Sequence, residues 1–237
     1  MANLEGKAAV VTGGTRGIGR AIVEVLLGAG ASVVVGARTE ADLRATVEDL
    51  GDNHPGRVDG APCDVRRPEQ CRALVERAVD RFGRLDVLVN NAGVGRFTAV
   101  EEMSDEVWKQ QLETNLDGVF YCSRAAIPHL KRSGDGWIVN VGSLAGKNAF
   151  AGGAAYNASK FGLIGFTEAL MAEVRHDGIR VTCVMPGSVA TDFRSGDAAD
   201  WKLQAEDVAR VVGDLLAFPA RALPSRVEIR PTRPPRK

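Results

Sequence analysis

Tyr156 and Lys160 stand four residues apart in Tyr156-Asn157-Ala158-Ser159-Lys160, and Ser143 lies thirteen residues upstream. On a helix, that separation puts both side chains on one face, where an ammonium can stabilise a phenolate. A free phenol titrates at about 10 and is a poor base at neutral pH, and a neighbouring cation lowers that value. The trio therefore has the makings of a proton-transfer device acting on a carbonyl or hydroxyl oxygen. The pair alone also has a plainer reading: an amphipathic tyrosine at the edge of a core beside a solvated lysine. The surrounding elements decide between the two.

Short apolar runs alternate with helical periodicity along the chain. Strands are predicted over Ala8 to Val11, Ser32 to Gly36, Arg57 to Cys63, Val87 to Asn90, Trp137 to Val141 and Arg180 to Met185. A further strand is expected within Leu223 to Pro231. The first helix shows its stripe in Ile18, Ala21, Ile22, Val25, Leu26 and Ala29, and stops at Gly28-Ala29-Gly30. Near-continuous apolar strands separated by helices specify a sheet covered on both faces. The expected fold class is α/β, a single-domain doubly wound Rossmann fold with a mostly parallel, seven-stranded sheet. Ligands in such folds gather beyond the carboxyl ends of the strands, where this chain clusters its glycine and polar residues.

Composition narrows the function classes. With 30 basic and 30 acidic residues in 237, no overall charge draws the chain to nucleic acid or to an anionic membrane. The amino-terminal stretch has no signal-peptide layout and no apolar run is long enough to span a bilayer, so a cytoplasmic protein is expected. Cys63, Cys71, Cys122 and Cys183 lack metal-ligand spacing, as do His54, His129 and His176, and no metal is expected. One Rossmann domain over 1–230 is expected, followed by a basic, proline-rich tail over 231–237.

After the first strand comes Thr12-Gly13-Gly14-Thr15-Arg16-Gly17-Ile18-Gly19, opening directly into the first helix. Glycines there let the backbone turn tightly and approach a pyrophosphate, whose charge meets the amides of a helix amino terminus. At the end of the second strand, Val35-Gly36-Ala37-Arg38-Thr39 carries arginine where an NAD site offers a carboxylate. Arg38 and Arg16 together suit a 2'-phosphate, so NADP(H) is the expected cofactor; the plainer alternative makes both surface charges.

With these pieces in view, the chain resembles the short-chain dehydrogenase/reductase family along almost its whole length, and within it 3-oxoacyl-acyl-carrier-protein reductases. The resemblance rests on Thr12-Gly13-x3-Gly17-x-Gly19, on Asp64-Val65, on Asn90-Asn91-Ala92-Gly93, on Asn115, Ser143, Tyr156 and Lys160, and on Pro186-Gly187-Ser188-Val189 with Thr191. It implies that Asp64 and Val65 contact adenine, that Asn90 ties strands while Asn91, Ala92 and Gly93 border the cofactor, and that Pro186, Gly187, Val189 and Thr191 lie beside the nicotinamide. It implies a catalytic tetrad of Asn115, Ser143, Tyr156 and Lys160. Ser143 would hydrogen-bond the substrate oxygen, or be a turn hydroxyl; Tyr156 would exchange its proton. Lys160 would hold the nicotinamide ribose and lower the tyrosine pKa. Asn115 would perturb a helix and help bind a water leading to lysine, or else cap a helix start.

The implied activity is hydride transfer between NADP(H) and a carbonyl or secondary alcohol. A cofactor-binding sensor with incidental catalysis is the other class. Substrate choice is expected in Val94 to Phe97, Leu144 to Ala154 and the short stretch Asp192 to Asp200, where Arg194 is a candidate for an anionic group. Phe150 either lines an apolar pocket or packs on another subunit. The carboxyl end lacks the Thr-Gly...Gly-Gly finish of the 3-oxoacyl reductases, which leaves other ketones and 3-hydroxy acids open. The resemblance further implies a homotetramer or homodimer paired through helices beginning near Asn115 and Ala155.

Overall fold

A computed structural model describes residues 3–191 and 200–235. Strands β1 (Ala8–Thr12), β2 (Ser32–Ala37), β3 (Val58–Pro62), β4 (Val87–Asn90), β5 (Gly136–Val141), β6 (Ile179–Pro186) and β7 (Arg226–Ile229) form one sheet in the order β3-β2-β1-β4-β5-β6-β7. Every pairing between these strands is parallel, so the mostly parallel sheet expected from sequence is parallel throughout. Order reverses between β1 and β4. In an open parallel sheet such a reversal leaves a crevice beyond the carboxyl ends.

Helices α1 (Gly17–Gly28), α2 (Glu40–Asn53) and α7 (Ala205–Leu216) supply side chains to the core on one face. Helices α3 (Pro68–Phe82), α5 (Gly118–Ser133) and α6 (Ala154–Val174) cover the other, and α4 (Asp105–Leu112) leads into α5. Strand register explains the division. Val10, Val34, Leu88 and Ile138 lie in one row of paired positions and all face α3 and α5. The adjacent row of Val11, Val35, Val89 and Val139 faces α1. With a side-chain period of two, each strand alternates between two buried layers, which is why the runs read as continuously apolar. All four cysteines are buried free thiols. Among the described residues, no helix is long and apolar enough to cross a membrane, and 231–235 have no regular secondary structure.

The amino-terminal edge of the sheet is held by one carboxylate. Asp86, 1% exposed, accepts the backbone N–H of Ala8 at 2.9 Å, Lys7 Nζ at 3.2 Å, and Arg84 through Nε at 2.7 Å and Nη2 at 2.6 Å. Burial pushes its carboxyl up, but Arg84, the Ala8 amide and Lys7 together hold it below the ordinary value of 3.8. A depressed folded value means that this stabilisation is complete above the unfolded pKa and is lost as the pH falls through the folded one. Asp86→Ala is expected to cost about 2 kcal/mol in urea unfolding at pH 7, because it leaves the buried Ala8 amide without a partner and takes the carboxylate from the part-exposed Lys7 and Arg84. The gap to wild type should narrow as the pH drops below the carboxylate range; a pH-independent gap would show that the contribution is not ionic.

Candidate active site

The carboxyl ends of β1 and β4 are clasped together at the switch point. Thr12 Oγ1 accepts the backbone N–H groups of Asn91 and Ala92, each at 3.0 Å, while the Asn91 amide donates to Thr12 O at 3.0 Å and Gly13 O at 3.1 Å. Gly13 takes a φ of +65° to turn out of the strand, a conformation glycine adopts without steric cost. Gly19 brings α1 onto that turn: a Cβ there would lie 2.1 Å from Gly13 O and 2.4 Å from Asn91 Nδ2. Arg16 precedes the helix and gives it no side-chain cap. The first amides of α1, at Gly17, Ile18 and Gly19, therefore have the arrangement that favours an anion.

The three residues of the proton-transfer reading converge where β5 ends. Ser143 Oγ accepts the Ala145 N–H at 3.1 Å as a short helical turn begins, and the serine side chain favours the ionised form of the Tyr156 phenol. The turn reading of Ser143 holds: its oxygen satisfies the Ala145 backbone N–H. Tyr156 and Lys160 lie on one face of α6, both buried, with Lys160 Nζ 5.9 Å from the tyrosine ring centroid. That ammonium donates to Val141 O, the last residue of β5, at 2.9 Å.

The electrostatic balance differs from the one expected. Burial pushes the Tyr156 phenol above its ordinary value of 10, and the Ser143 side chain only partly offsets it. Burial also lowers Lys160, to about 8. The expectation that Lys160 brings the phenol down is corrected: in this low-dielectric site, withdrawal from water disfavours both charged forms. At neutral pH the phenol keeps its proton.

Asn115 perturbs its helix and does not cap one. It lies within a π turn, Glu113–Asp117, between α4 and α5. Its Oδ1 accepts the Val94 N–H at 2.8 Å and its Nδ2 donates to Val94 O at 2.9 Å and to Ser159 Oγ at 3.1 Å. The extra residue in the turn aims the amide at the loop after β4, consistent with the tendency of such turns to occur at functional sites. One turn earlier, Gln111 is fully buried and its Oε1 accepts the Arg96 N–H at 3.0 Å. Asn157 donates to Ala145 O at 2.6 Å and Asn148 O at 3.3 Å, and accepts the Phe150 N–H at 3.3 Å. Sequence reading missed Gln111 and Asn157. Their signal was present, an amide on the buried stripe of a helix, but it does not name its partner.

The remaining predicted positions lie at or just after the carboxyl ends of β1, β2, β3, β4 and β6. Thr15 and exposed Arg16 belong to the glycine turn, and Ile18 packs partly buried against the core. Arg38 and Thr39, both exposed, follow β2. The Asp64 carboxylate is held by Arg66 at 2.5 to 3.0 Å. That bond first, with Arg38 as a lesser contributor, keeps it below the ordinary carboxylate value. Val65 packs where a Cβ on Gly118 would come within 2.7 Å of it. Asn90 ties β4 to β5 and α5 through Asn140 at 2.8 Å and Ser123 at 3.2 Å. Ala92 and Gly93 lead from the clasp into the loop Val94 to Phe97. Pro186 ends β6, Gly187 N–H donates to Ile229 O at 2.8 Å, and Val189 bridges to Leu203. Thr191 lies over the α1 amino terminus, its Cγ2 3.4 Å from where a Gly17 Cβ would be. The substrate-loop positions 192–199, Arg194 included, lie outside the described residues. Among the described residues, no group of three or more His, Cys, Asp or Glu side chains could hold a metal ion.

A family profile described as short chain dehydrogenase matches residues 7–201. The chain is 42% identical over 191 residues to the 3-oxoacyl-[acyl-carrier-protein] reductase FabG of Vibrio cholerae, spanning 81% of this chain and 77% of the relative. It is 41% identical over 214 residues to a Streptomyces virginiae protein named monensin polyketide synthase putative ketoacyl reductase, spanning 88% and 82%. Among solved structures, a tryptophan variant of actinorhodin polyketide ketoreductase with NADPH superposes with a TM-score of 0.86 at 35% identity, covering 98% of each chain. A metagenomic short-chain oxidoreductase in complex with NADP gives 0.86 at 36% identity, covering 98% of this chain and 100% of that one.

Proposed function

The chain belongs to the short-chain dehydrogenase family and is an oxidoreductase, and from that premise we propose that it is an NADP(H)-dependent carbonyl reductase in which Tyr156 donates the proton. The observation that carries this reading is the convergence of Ser143, Tyr156 and a buried Lys160 where β5 ends. The α1 amides, Arg16 and Arg38 suit a pyrophosphate and a 2'-phosphate, with Asp64 and Val65 at the adenine end and Asn91 to Gly93, Pro186, Gly187, Val189 and Thr191 toward the nicotinamide. Bound nicotinamide supplies the hydride. Ser143 holds the substrate oxygen, Tyr156 protonates it, and Lys160 binds the ribose and, with Asn115, lines the path by which the proton is replaced. Relatives named as 3-oxoacyl and ketoacyl reductases make 3-oxoacyl thioesters a candidate substrate class.

NADPH absorbance with a panel of ketones, 3-oxoacyl thioesters, sugars and quinones tests this directly. Turnover is expected with at least one carbonyl class, and Tyr156→Phe should retain NADPH binding while losing about a thousandfold or more in kcat. Binding without turnover across the panel would defeat the reading. Because burial raises the phenol, reduction should be flat through neutral pH, whereas alcohol oxidation should climb with pH into the alkaline range. Arg38→Ala should raise KM for NADPH about tenfold and change KM for NADH little; a wild-type preference for NADH would remove the 2'-phosphate assignment.

The same reading includes a homotetramer or homodimer joined through α5 and α6. Phe120 and Phe161 are 41% and 47% exposed on those helices, and Phe120 meets Phe166 edge-on at 6.3 Å while Arg124 stacks on it at 4.7 Å. Exposed aromatic surface of this kind supports self-association. Sedimentation should report a multimer that Phe161→Asp weakens; a monomeric wild type would refute the assembly. Four buried free thiols fit a reducing compartment and support a cytoplasmic location.

A further inference from the structure

Beyond the reacting oxygen, two phenylalanine rings stand beside the phenol. Phe97 meets Tyr156 with ring centroids 5.5 Å apart and planes at 79°, and Phe150 lies 5.5 Å from Phe97 at 53°. Phe150 is 41% exposed and Phe97 half-buried. Neither ring is left to drift. The backbone on one side of Phe97 is fixed by the Arg96 N–H on Gln111 Oε1 at 3.0 Å, and on the other by the Thr98 N–H on Gly152 O at 2.9 Å. Phe150 is fixed by its N–H on Asn157 Oδ1 at 3.3 Å. Two loops distant in sequence are thus stitched together so that their rings form one wall, which starts at the tyrosine and opens to the surface.

A ketone whose oxygen lies on Tyr156 can set one of its substituents against that wall, because Phe97 packs directly on the tyrosine ring. Aromatic rings prefer edge-on or offset neighbours, and a prearranged pair loses little freedom when a third ring joins it. Building on the reductase reading above, we propose that Phe97, backed by Phe150, is the specificity-determining residue of this site, and that it selects ketones with a flat aryl group next to the carbonyl. A straight alkyl chain makes the same apolar contact without the ring geometry and must be ordered to do so.

Acetophenone and 2-octanone, methyl ketones of equal carbon number, separate the two cases when reduced by the NADPH-bound enzyme. Wild type should favour acetophenone about tenfold in kcat/KM. Phe97→Ala should lower acetophenone turnover more than 2-octanone turnover, bringing the ratio toward one, and Phe150→Ala should do so in part. Phe97→Leu, which keeps apolar bulk without the ring, gives the same reading should the alanine variant fold poorly. Equal turnover of both ketones by wild type, or a ratio unchanged in Phe97→Leu, overturns the inference and leaves the reductase reading standing. Inertness of both ketones overturns the inference, and the parent reading falls with it only if the 3-oxoacyl thioesters of the wider panel are inert as well.

Discussion

The clasp between Thr12 and Asn91 is the constraint on which the crevice depends. The β1 and β4 strands run side by side and then part, because α1 follows one and the loop toward α4 follows the other. Strand ends that diverge leave backbone donors and acceptors without ladder partners, and a buried unpaired group is expensive. Thr12 and Asn91 answer that need with four bonds between a hydroxyl, an amide and the two backbones. The same bonds set the Gly13 turn at a fixed height, and α1 can approach it only because position 19 has no side chain. From Asn91 the chain continues as one braced segment: Asn115 holds Val94, Gln111 holds Arg96, and Phe97 then meets the Tyr156 ring. One short loop thereby joins the glycine turn to Tyr156.

Burial at Tyr156 and Lys160 works against charge and in favour of chemistry. A lysine brought down to about 8 is still largely protonated at neutral pH, yet it surrenders its proton far more readily than a surface lysine. The phenol moves the other way. A site built for stability alone would place neither group out of water, and the single carbonyl bond from Lys160 to Val141 is modest compensation for a buried ammonium. The sheet supplies that tolerance: β5 and β6 are buried along their whole length, and α6 packs on the face of the sheet beside them.

Sequence alone made the strands and the glycine turn legible because both are local. A buried parallel strand must be apolar at consecutive positions, and a turn with φ of +65° all but requires the glycine found at 13. Tyr156 and Lys160 were legible through helical spacing. Gln111 and Asn157 were not, since each amide acts on backbone brought to it by the fold: Arg96 from the loop after β4, Ala145 and Phe150 from the loop after β5. The sign of the tyrosine shift was also out of reach. Charge proximity can be guessed from spacing, whereas the depth of burial that outweighs it depends on what packs above α6.

The two ends of the sheet divide their electrostatics by chemical type, and the division bears on what the crevice can bind. At the amino-terminal edge a full carboxylate, Asp86, gathers Lys7, Arg84 and an amide. At the carboxyl edge the strands are tied by neutral groups, Thr12, Asn90, Asn91 and Asn140. Neutral ties satisfy backbone without adding negative charge near the α1 amides, and Asp64, the carboxylate that follows β3, is already matched by Arg66. Arg16, which precedes α1, and Arg38, which follows β2, are then cations on the same side of the sheet as a helix amino terminus that carries partial positive charge of its own. Placing a carboxylate at the end of β2 would cancel that field and offer acceptors to ribose hydroxyls; the arginine at 38 preserves it. The preference for a phosphate over a hydroxyl therefore follows from what the clasping residues are not, as much as from the two arginines themselves.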